Sequence, residues 1–208
     1  MPNASRNCGP EGGSGVMAPD RDPGEKIRRD LRRTVRSRLE SVPIDERRVD
    51  LEALSTRLPS PGRPLRVLCY LGDGVEIDLD PVIRELLRQG ADIAVPAVLA
   101  QVGHMQPIRL PSLEASDLET DRYGLRVPRQ PWSTIETAEL DVILVPGVAF
   151  TMEGDRLGRG GGYYDRLLAR TPNHVLRIGI CHRVQVVENL PVRAHDVRMN
   201  ELLVIERP

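Results

Sequence analysis

The sequence predicts an α/β fold: a three-layer, open, mostly parallel sheet flanked by helices, in a single domain. Three observations carry this expectation. Short apolar runs of strand length recur along the chain, Asp141-Val142-Ile143-Leu144-Val145-Pro146 being the clearest, without the polar alternation of a half-exposed strand. Segments with helical apolar spacing stand between those runs, the pattern of helices crossing between parallel strands. A glycine-rich stretch, Gly158–Gly162, separates one such run from the helical segment after it, at the carboxyl end of a strand where sheets of this kind hold ligands. At 208 residues the chain is long enough for one full hydrophobic core.

Residues 1–23, rich in Gly, Pro, Ser and Asn and without apolar periodicity, are expected to form a disordered tail, leaving 24–208 as the α/β domain. From Glu25 to Leu39 the spacing predicts a helix. Ile27, Leu31, Val35 and Leu39 form an apolar stripe on it, with Arg28, Arg32 and Arg36 as an adjacent basic one. A second helix is expected over Asp45–Leu58, ended by Pro59-Ser60-Pro61-Gly62-Arg63-Pro64. Arg66–Leu71 reads as a buried strand. Asp80 suits an N-cap with Pro81 at the first helical position, Val82, Ile83, Leu86 and Leu87 form the packing face, and Gly90 suits the far end. Asp92–Val98 is the next strand, expected to be interrupted at Pro96. Ala100–Trp132 should hold irregular or antiparallel pieces. Strands follow at Asp141–Pro146, Val175–Cys181 and Glu201–Ile205, with a helix over Tyr163–Arg170.

Composition narrows the function classes. A net charge of −1 gives no general attraction for nucleic acid or an anionic membrane. A nucleic-acid reading would rest on the Arg28–Arg38 helix, but an aromatic content of 3% leaves little to stack on bases. Cys8, Cys69 and Cys181 are far apart and without zinc spacing, which fits a reducing cytoplasm. His104, His174, His182 and His195 show no metal spacing either. No apolar run reaches the length of a membrane span, and no signal peptide is expected. All the basic residues but Lys26 are arginine, as a GC-rich genome would produce.

The segment Arg156-Leu157-Gly158-Arg159-Gly160-Gly161-Gly162-Tyr163-Tyr164-Asp165-Arg166 carries the most chemistry. Without Cβ atoms a turn can bring its backbone N–H groups against phosphate oxygens, and flanking guanidiniums can fork onto the same oxygens. A flexible surface turn is the plainer alternative, although linkers seldom carry two arginines and two tyrosines. A Walker A loop needs Lys-Ser or Lys-Thr where Tyr163-Tyr164 stands, and the last glycine of a dinucleotide fingerprint would fall on Tyr163.

Val145-Pro146-Gly147-Val148-Ala149-Phe150, then Gly154, then Arg156 through Asp165 resembles the signature of the 5-formyltetrahydrofolate cyclo-ligase (methenyltetrahydrofolate synthetase) family. Individually weaker matches fall in the right order: Leu31-Arg32, Glu76-Ile77-Asp78, Met105, Gln185, Leu190-Pro191 and His195-Asp196. The resemblance implies a ring closure that uses ATP and Mg²⁺. The formyl oxygen of 5-formyltetrahydrofolate is phosphorylated, N10 attacks the activated carbon, and phosphate leaves to give 5,10-methenyltetrahydrofolate and ADP. It further implies that Lys26, Arg28, Arg32, Arg156, Leu157, Gly158, Arg159, Gly160, Gly161, Gly162, Tyr163 and Tyr164 hold ATP. Arg159 and Tyr163 would also serve the reacting centre, Glu76, Met105 and Tyr163 the reduced folate, and Asp165 and Asp196 the Mg²⁺ ion.

Plainer readings stand beside these. Asp165 would cap the helix near Tyr163, the arginines of the first helix would be a solvated face, Met105 would be core, and His195 would serve local hydrogen bonding. The expected partners are the reduced folate and ATP, for a cytoplasmic monomer or homodimer. The chain departs from the family pattern at Arg28, where a lysine is usual, at Val127, where many members have a glutamate, and at Cys181-His182, where Ala-Phe is usual. The Val127 and His182 departures keep open a non-cyclising ATP- or phosphate-binding paralogue with a regulatory role or another substrate.

Overall fold

The computed structural model describes residues 23–98, 105–122, 124–193 and 195–206. The expected tail up to residue 22, with Cys8, and also His104 and Tyr123, lie outside the described residues. In chain order, α1 (Pro23–Glu40) and α2 (Leu51–Ser55) precede β1 (Arg66–Leu68), α3 (Asp80–Arg88), β2 (Asp92–Val98) and β3 (Met105–Arg109). A hairpin of β4 (Leu118–Thr120) and β5 (Arg126–Pro128) follows. Then come β6 (Val142–Val145), a ribbon of β7 (Ala149–Phe150) and β8 (Arg156–Leu157), α4 (Tyr163–Ala169), β9 (Leu176–His182) and β10 (Glu201–Ile205).

The central sheet has the strand order β10-β9-β6-β1-β2-β3, parallel throughout except for the antiparallel edge strand β3. β6 has neighbours on both sides, and all four of its residues are buried, which is why it is apolar without alternation. Its successive side chains still divide between two faces. Val142 and Leu144 join the cluster that holds Leu54 of α2 and Val82 and Ile83 of α3. Ile143 and Val145 join the cluster that holds Leu167 and Leu168 of α4. Three layers result, as the alternation of apolar runs and helices predicts. A smaller cluster of Val35, Ala149 and Leu157 fixes α1 against the β7–β8 ribbon.

Five local expectations need correction. Ile27 is 52% exposed, whereas Arg28 is buried. A four-residue spacing drifts about 40° per step on a helix of 3.6 residues per turn, so Ile27 lies about 120° from Leu39 around the axis. The helix over Asp45–Leu58 is two pieces, a 3-10 turn Ile44–Glu46 and α2. Between them the chain is drawn to the loop after β1: the Arg47 carbonyl accepts from Asp78 N (2.8 Å), and Arg48 forms a bridge with Asp78. Asp50 then restarts the helix by accepting from Glu52 N.

β1 ends its ladder at Leu68 instead of Leu71, and Tyr70 and Leu71 line a cavity. Asp80 does not cap α3. The cap position is Leu79, the carboxylate of Asp78 accepts from Asp80 N (2.9 Å), and the Asp80 side chain forms a two-bond pair with Arg126 at 2.8 and 2.9 Å. Pro96 does not interrupt β2, because it lies opposite Pro107 of β3, beyond the reach of β1. Neither proline has an N–H to leave unpaired there. The antiparallel pieces expected between Ala100 and Trp132 are β3, β4 and β5.

Candidate active site

The glycine loop is delivered by the β7–β8 ribbon, whose two-residue strands pair Ala149 with Leu157 and Phe150 with Arg156. Leu157 is buried, and its carbonyl accepts from Val148 N (2.8 Å), so it anchors the loop rather than facing a ligand. Gly160 (φ +103°) and Gly162 (φ +66°) hold left-handed backbone that a side chain would strain, which lets the chain double back into α4. Arg156 is packed beneath the loop. Its Nη1 donates to Pro146 O at the end of β6 (3.2 Å), its Nη2 contacts the Asp165 carboxylate, and its guanidinium lies 5.7 Å from the Tyr164 ring centre. A Cβ on Gly158 would come within 2.9 Å of that guanidinium. Asp165 is therefore the counter-charge of Arg156; the cap of α4 is Gly162, with no side-chain cap bond.

Two cavities, each of about 330 Å³, meet at this loop. Arg156, Gly158, Gly161, Gly162 and Asp165 line both. The second cavity is basic, with Arg28, Arg32, Arg156, Arg166 and Arg193 against Asp165 and Asp196. Arg32 donates to Gly158 O (2.9 Å) and to Glu25 (3.1 Å), tying α1 to the loop. Arg28 pairs with Asp196 at 2.6 Å, and Arg193 N donates to the same carboxylate at 2.7 Å. Partial burial would raise the Asp196 carboxyl, but those donors hold it below the ordinary carboxylate range. His195 is exposed, with Nε2 3.9 Å from Asp196, a contact too long for the local hydrogen bond expected of it.

The first cavity is mostly apolar. Met105, Leu71, Val95 and Val98 contribute to its wall, together with Tyr70, Tyr163 and Tyr164. Glu76 faces into it from the loop after β1. Burial pushes the Glu76 carboxyl up to about 7; the nearby Arg159 cation lowers it and the Asp73 carboxylate raises it further. Arg159 Nη2 donates to Asp73 Oδ2 at 2.6 Å and lies 2.9 Å from Glu76 Oε1.

The structure thus brings Arg28, Arg32, Arg156, the four glycines, Asp165 and Asp196 together at one cavity, and Glu76, Met105, Arg159, Tyr163 and Tyr164 at the other. Arg159 and both tyrosines line the apolar side only, although the sequence reading grouped them with the phosphate ligands. Lys26 is exposed and lines neither cavity. Sequence reasoning missed Asp73, Arg193 and the role of Arg166, whose Nη2 donates to Gly161 O (2.8 Å). Arg166 follows Gly162 by one helical turn, a spacing that would have found it; Asp73 and Arg193 lie in loops without a motif. Among the described residues, no group of three or more His, Cys, Asp or Glu side chains is placed to hold a metal ion. No helix there is long and apolar enough to cross a membrane.

Besides Arg28, the departures from the family pattern at Val127 and His182 have visible places in the fold. Val127 is buried in β5. His182 Nδ1 accepts from Val184 N (3.3 Å) and its own N–H donates to Gln185 (2.8 Å). Gln185 Nε2 then donates to Gly147 O (2.8 Å), bracing the turn beneath the loop.

Known proteins resemble this chain along most of its length. The model of the 5-formyltetrahydrofolate cyclo-ligase family matches residues 25–205. The 5-formyltetrahydrofolate cyclo-ligase of Mycolicibacterium smegmatis is 32% identical over 180 residues, 85% of this chain and 93% of its own length. The probable 5-formyltetrahydrofolate cyclo-ligase of Caenorhabditis elegans is 29% identical over 191 residues, 86% of this chain and 93% of its own. Among solved structures, the 5,10-methenyltetrahydrofolate synthetase of Aquifex aeolicus matches with a TM-score of 0.70 at 30% identity, over 87% of this chain and 91% of that one. The 5,10-methenyltetrahydrofolate synthetase from Mycoplasma pneumoniae shares the fold, with a TM-score of 0.65 at 20% identity over 84% of this chain and 96% of that one.

Proposed function

The chain belongs to the 5-formyltetrahydrofolate cyclo-ligase family, and we propose that it closes 5-formyltetrahydrofolate to 5,10-methenyltetrahydrofolate at the expense of ATP, releasing ADP and phosphate. One observation supports this reading above the others: a basic cavity and an apolar cavity share the wall made by the glycine loop. A triphosphate suits the first and a reduced pterin the second, so their reacting ends would meet at that wall.

The chemistry accounts for the residue types. A formamide oxygen leaves poorly as hydroxide, whereas phosphate leaves readily. Moving a phosphoryl group onto it asks the protein chiefly for positioning and for neutralising charge. Arg28, Arg32 and Arg193, with the backbone N–H groups of the loop, would hold the phosphates. Arg159 stands on the pterin side of the loop, where charge develops on the formyl oxygen, and Tyr163 is beside it in the same cavity. Glu76 would accept the N–H groups of the pterin, while Met105 packs on its ring. Arg156 acts from beneath as a positioning residue.

Mg²⁺ fits the donor set. Asp165 and Asp196 line the basic cavity together, and Mg²⁺ is ordinarily held by one or two carboxylates plus phosphate oxygens and water. Bound there, the ion would offset phosphate charge. The two cavities are lined within one chain, so the reading requires no second copy and is compatible with a monomer or a homodimer. The unpaired, buried thiols of Cys69 and Cys181 support a cytoplasmic setting.

The test is incubation of purified protein with 5-formyltetrahydrofolate, ATP and Mg²⁺ while following the absorbance of the methenyl product. Product that appears only with ATP, matched by ADP, is expected. ATP binding without product would instead favour the non-cyclising paralogue.

A further inference from the structure

The loop after β1 carries a carboxylate, Asp73, to which the reaction so far assigns no part. Asp73 uses both of its carboxylate oxygens. Oδ1 accepts from Val75 N (3.0 Å) and Glu76 N (3.1 Å), a local turn that sets the backbone from which Glu76 enters the cavity. Oδ2 accepts from Arg159 Nη2 at 2.6 Å, across a sequence separation of 86 residues. The same nitrogen lies 2.9 Å from Glu76 Oε1, so one guanidinium is divided between two carboxylates. Asp73 and Glu76 are 19% and 17% exposed, enough cover for their charges to interact with little screening. Behind them, Arg47 holds the same turn by donating to Gly74 O (3.3 Å) and Val75 O (3.1 Å).

Resting on the proposed function, we infer that Asp73 is a positioning residue for the reaction: by taking the shorter of the two contacts it keeps the Arg159 guanidinium shared and stops it from closing fully on Glu76, so that this carboxylate retains capacity for the N–H groups of the pterin. With Asp73 uncharged, Arg159 would have Glu76 as its sole anionic partner in this loop, and the substrate would have to break that pair to bind. The titratable groups that act on Glu76 are Arg159 from the glycine loop, Asp73 from its own loop, the Tyr70 and Tyr164 hydroxyls and, at longer range, Arg36 from α1. Of the charged ones, Asp73 alone is negative. Its loss would leave both cations acting on Glu76 and would let that carboxyl ionise at lower pH.

The experiment is the variant Asp73→Asn, which keeps an oxygen to accept from Val75 N and Glu76 N but removes the charge. The folate KM is expected to rise about tenfold, as loss of a charge-assisted contact in a half-covered site would give, with the ATP KM within about twofold of wild type. The acid limb of kcat/KM for folate should move to lower pH. Calorimetric binding of 5-formyltetrahydrofolate without ATP should weaken by the same factor, and that loss should vanish when Asp73→Asn is made in an Arg159→Ala background. An unchanged folate KM and acid limb in a wild-type-active system would overturn the inference, as would a loss that persists in the Arg159→Ala background. Wild-type protein that made no methenyl product would overturn the functional reading first, and this inference with it.

Discussion

Glu76 concentrates the physical cost of the site in one side chain. A carboxyl pushed up to about 7 by burial binds more protons in the folded than in the unfolded state across the interval below that value. The sign follows: the folded state loses stability as pH rises from the ordinary carboxylate range to about 7. Glu76→Gln removes the titration, so its melting temperature should change less than that of wild type between about pH 5 and about pH 7.5, measured by calorimetry. The same variant should raise the folate KM by about tenfold or more and lose the fall in folate affinity on acidification, because an amide presents only one acceptor oxygen to paired N–H donors.

At this scale the sequence was legible where a residue belongs to a motif, and illegible where a loop brings it in. Arg28, Arg32, Arg156, Asp165, Glu76 and Met105 all reach one of the two cavities. Lys26 does not, since it lies on the exposed side of α1. The Arg28–Asp196 pair joins residues 168 positions apart and left no trace in spacing.

Among the elements, α1 shows how helical geometry divides a repeated residue type by use. Side-chain exposure of Arg28, Arg32 and Arg36 rises from 7% through 20% to 50%, because each four-residue step turns the side chain farther from the site. Arg36 is left to pair with Glu40 on the surface. The turn Arg183–Gln185 makes a sharper prediction. His182 caps it and Gln185 reaches from it to Gly147, so His182→Ala should cost about 1 kcal/mol in urea unfolding near neutral pH, whereas His182→Asn should recover most of the loss. Burial holds the His182 imidazole below its usual pKa. Its contribution should therefore be present at neutral pH and be lost as pH falls through the ordinary histidine range.

Long, periodic elements such as α1 and α3 could be read from the sequence within a few residues. The β7–β8 ribbon could not, since two-residue strands have no period to detect. Nor could the break between Glu46 and Leu51, which is imposed by contacts of Arg47 and Arg48 with a loop far along the chain.

For the molecule as a whole, strand order decides where chemistry happens. β6 and β1 are adjacent in the middle of the sheet and parallel, so the segments following both emerge at the same edge. One supplies Pro146, Gly147 and, through the ribbon, the glycine loop; the other supplies Tyr70, Asp73 and Glu76. The layer architecture was readable from apolar runs alternating with helices. The neighbour relation of β1 and β6 was not, because pairing across intervening elements depends on packing that no local window contains.

The central claim is that this juxtaposition brings a phosphoryl donor onto the formyl oxygen. Its most direct test is to supply 5-formyltetrahydrofolate carrying ¹⁸O in the formyl group, with ATP, and to analyse the phosphate released by mass spectrometry. The account predicts that the label appears in that phosphate, one atom for each methenyl product formed. Unlabelled phosphate, with the ¹⁸O recovered in water, would contradict it.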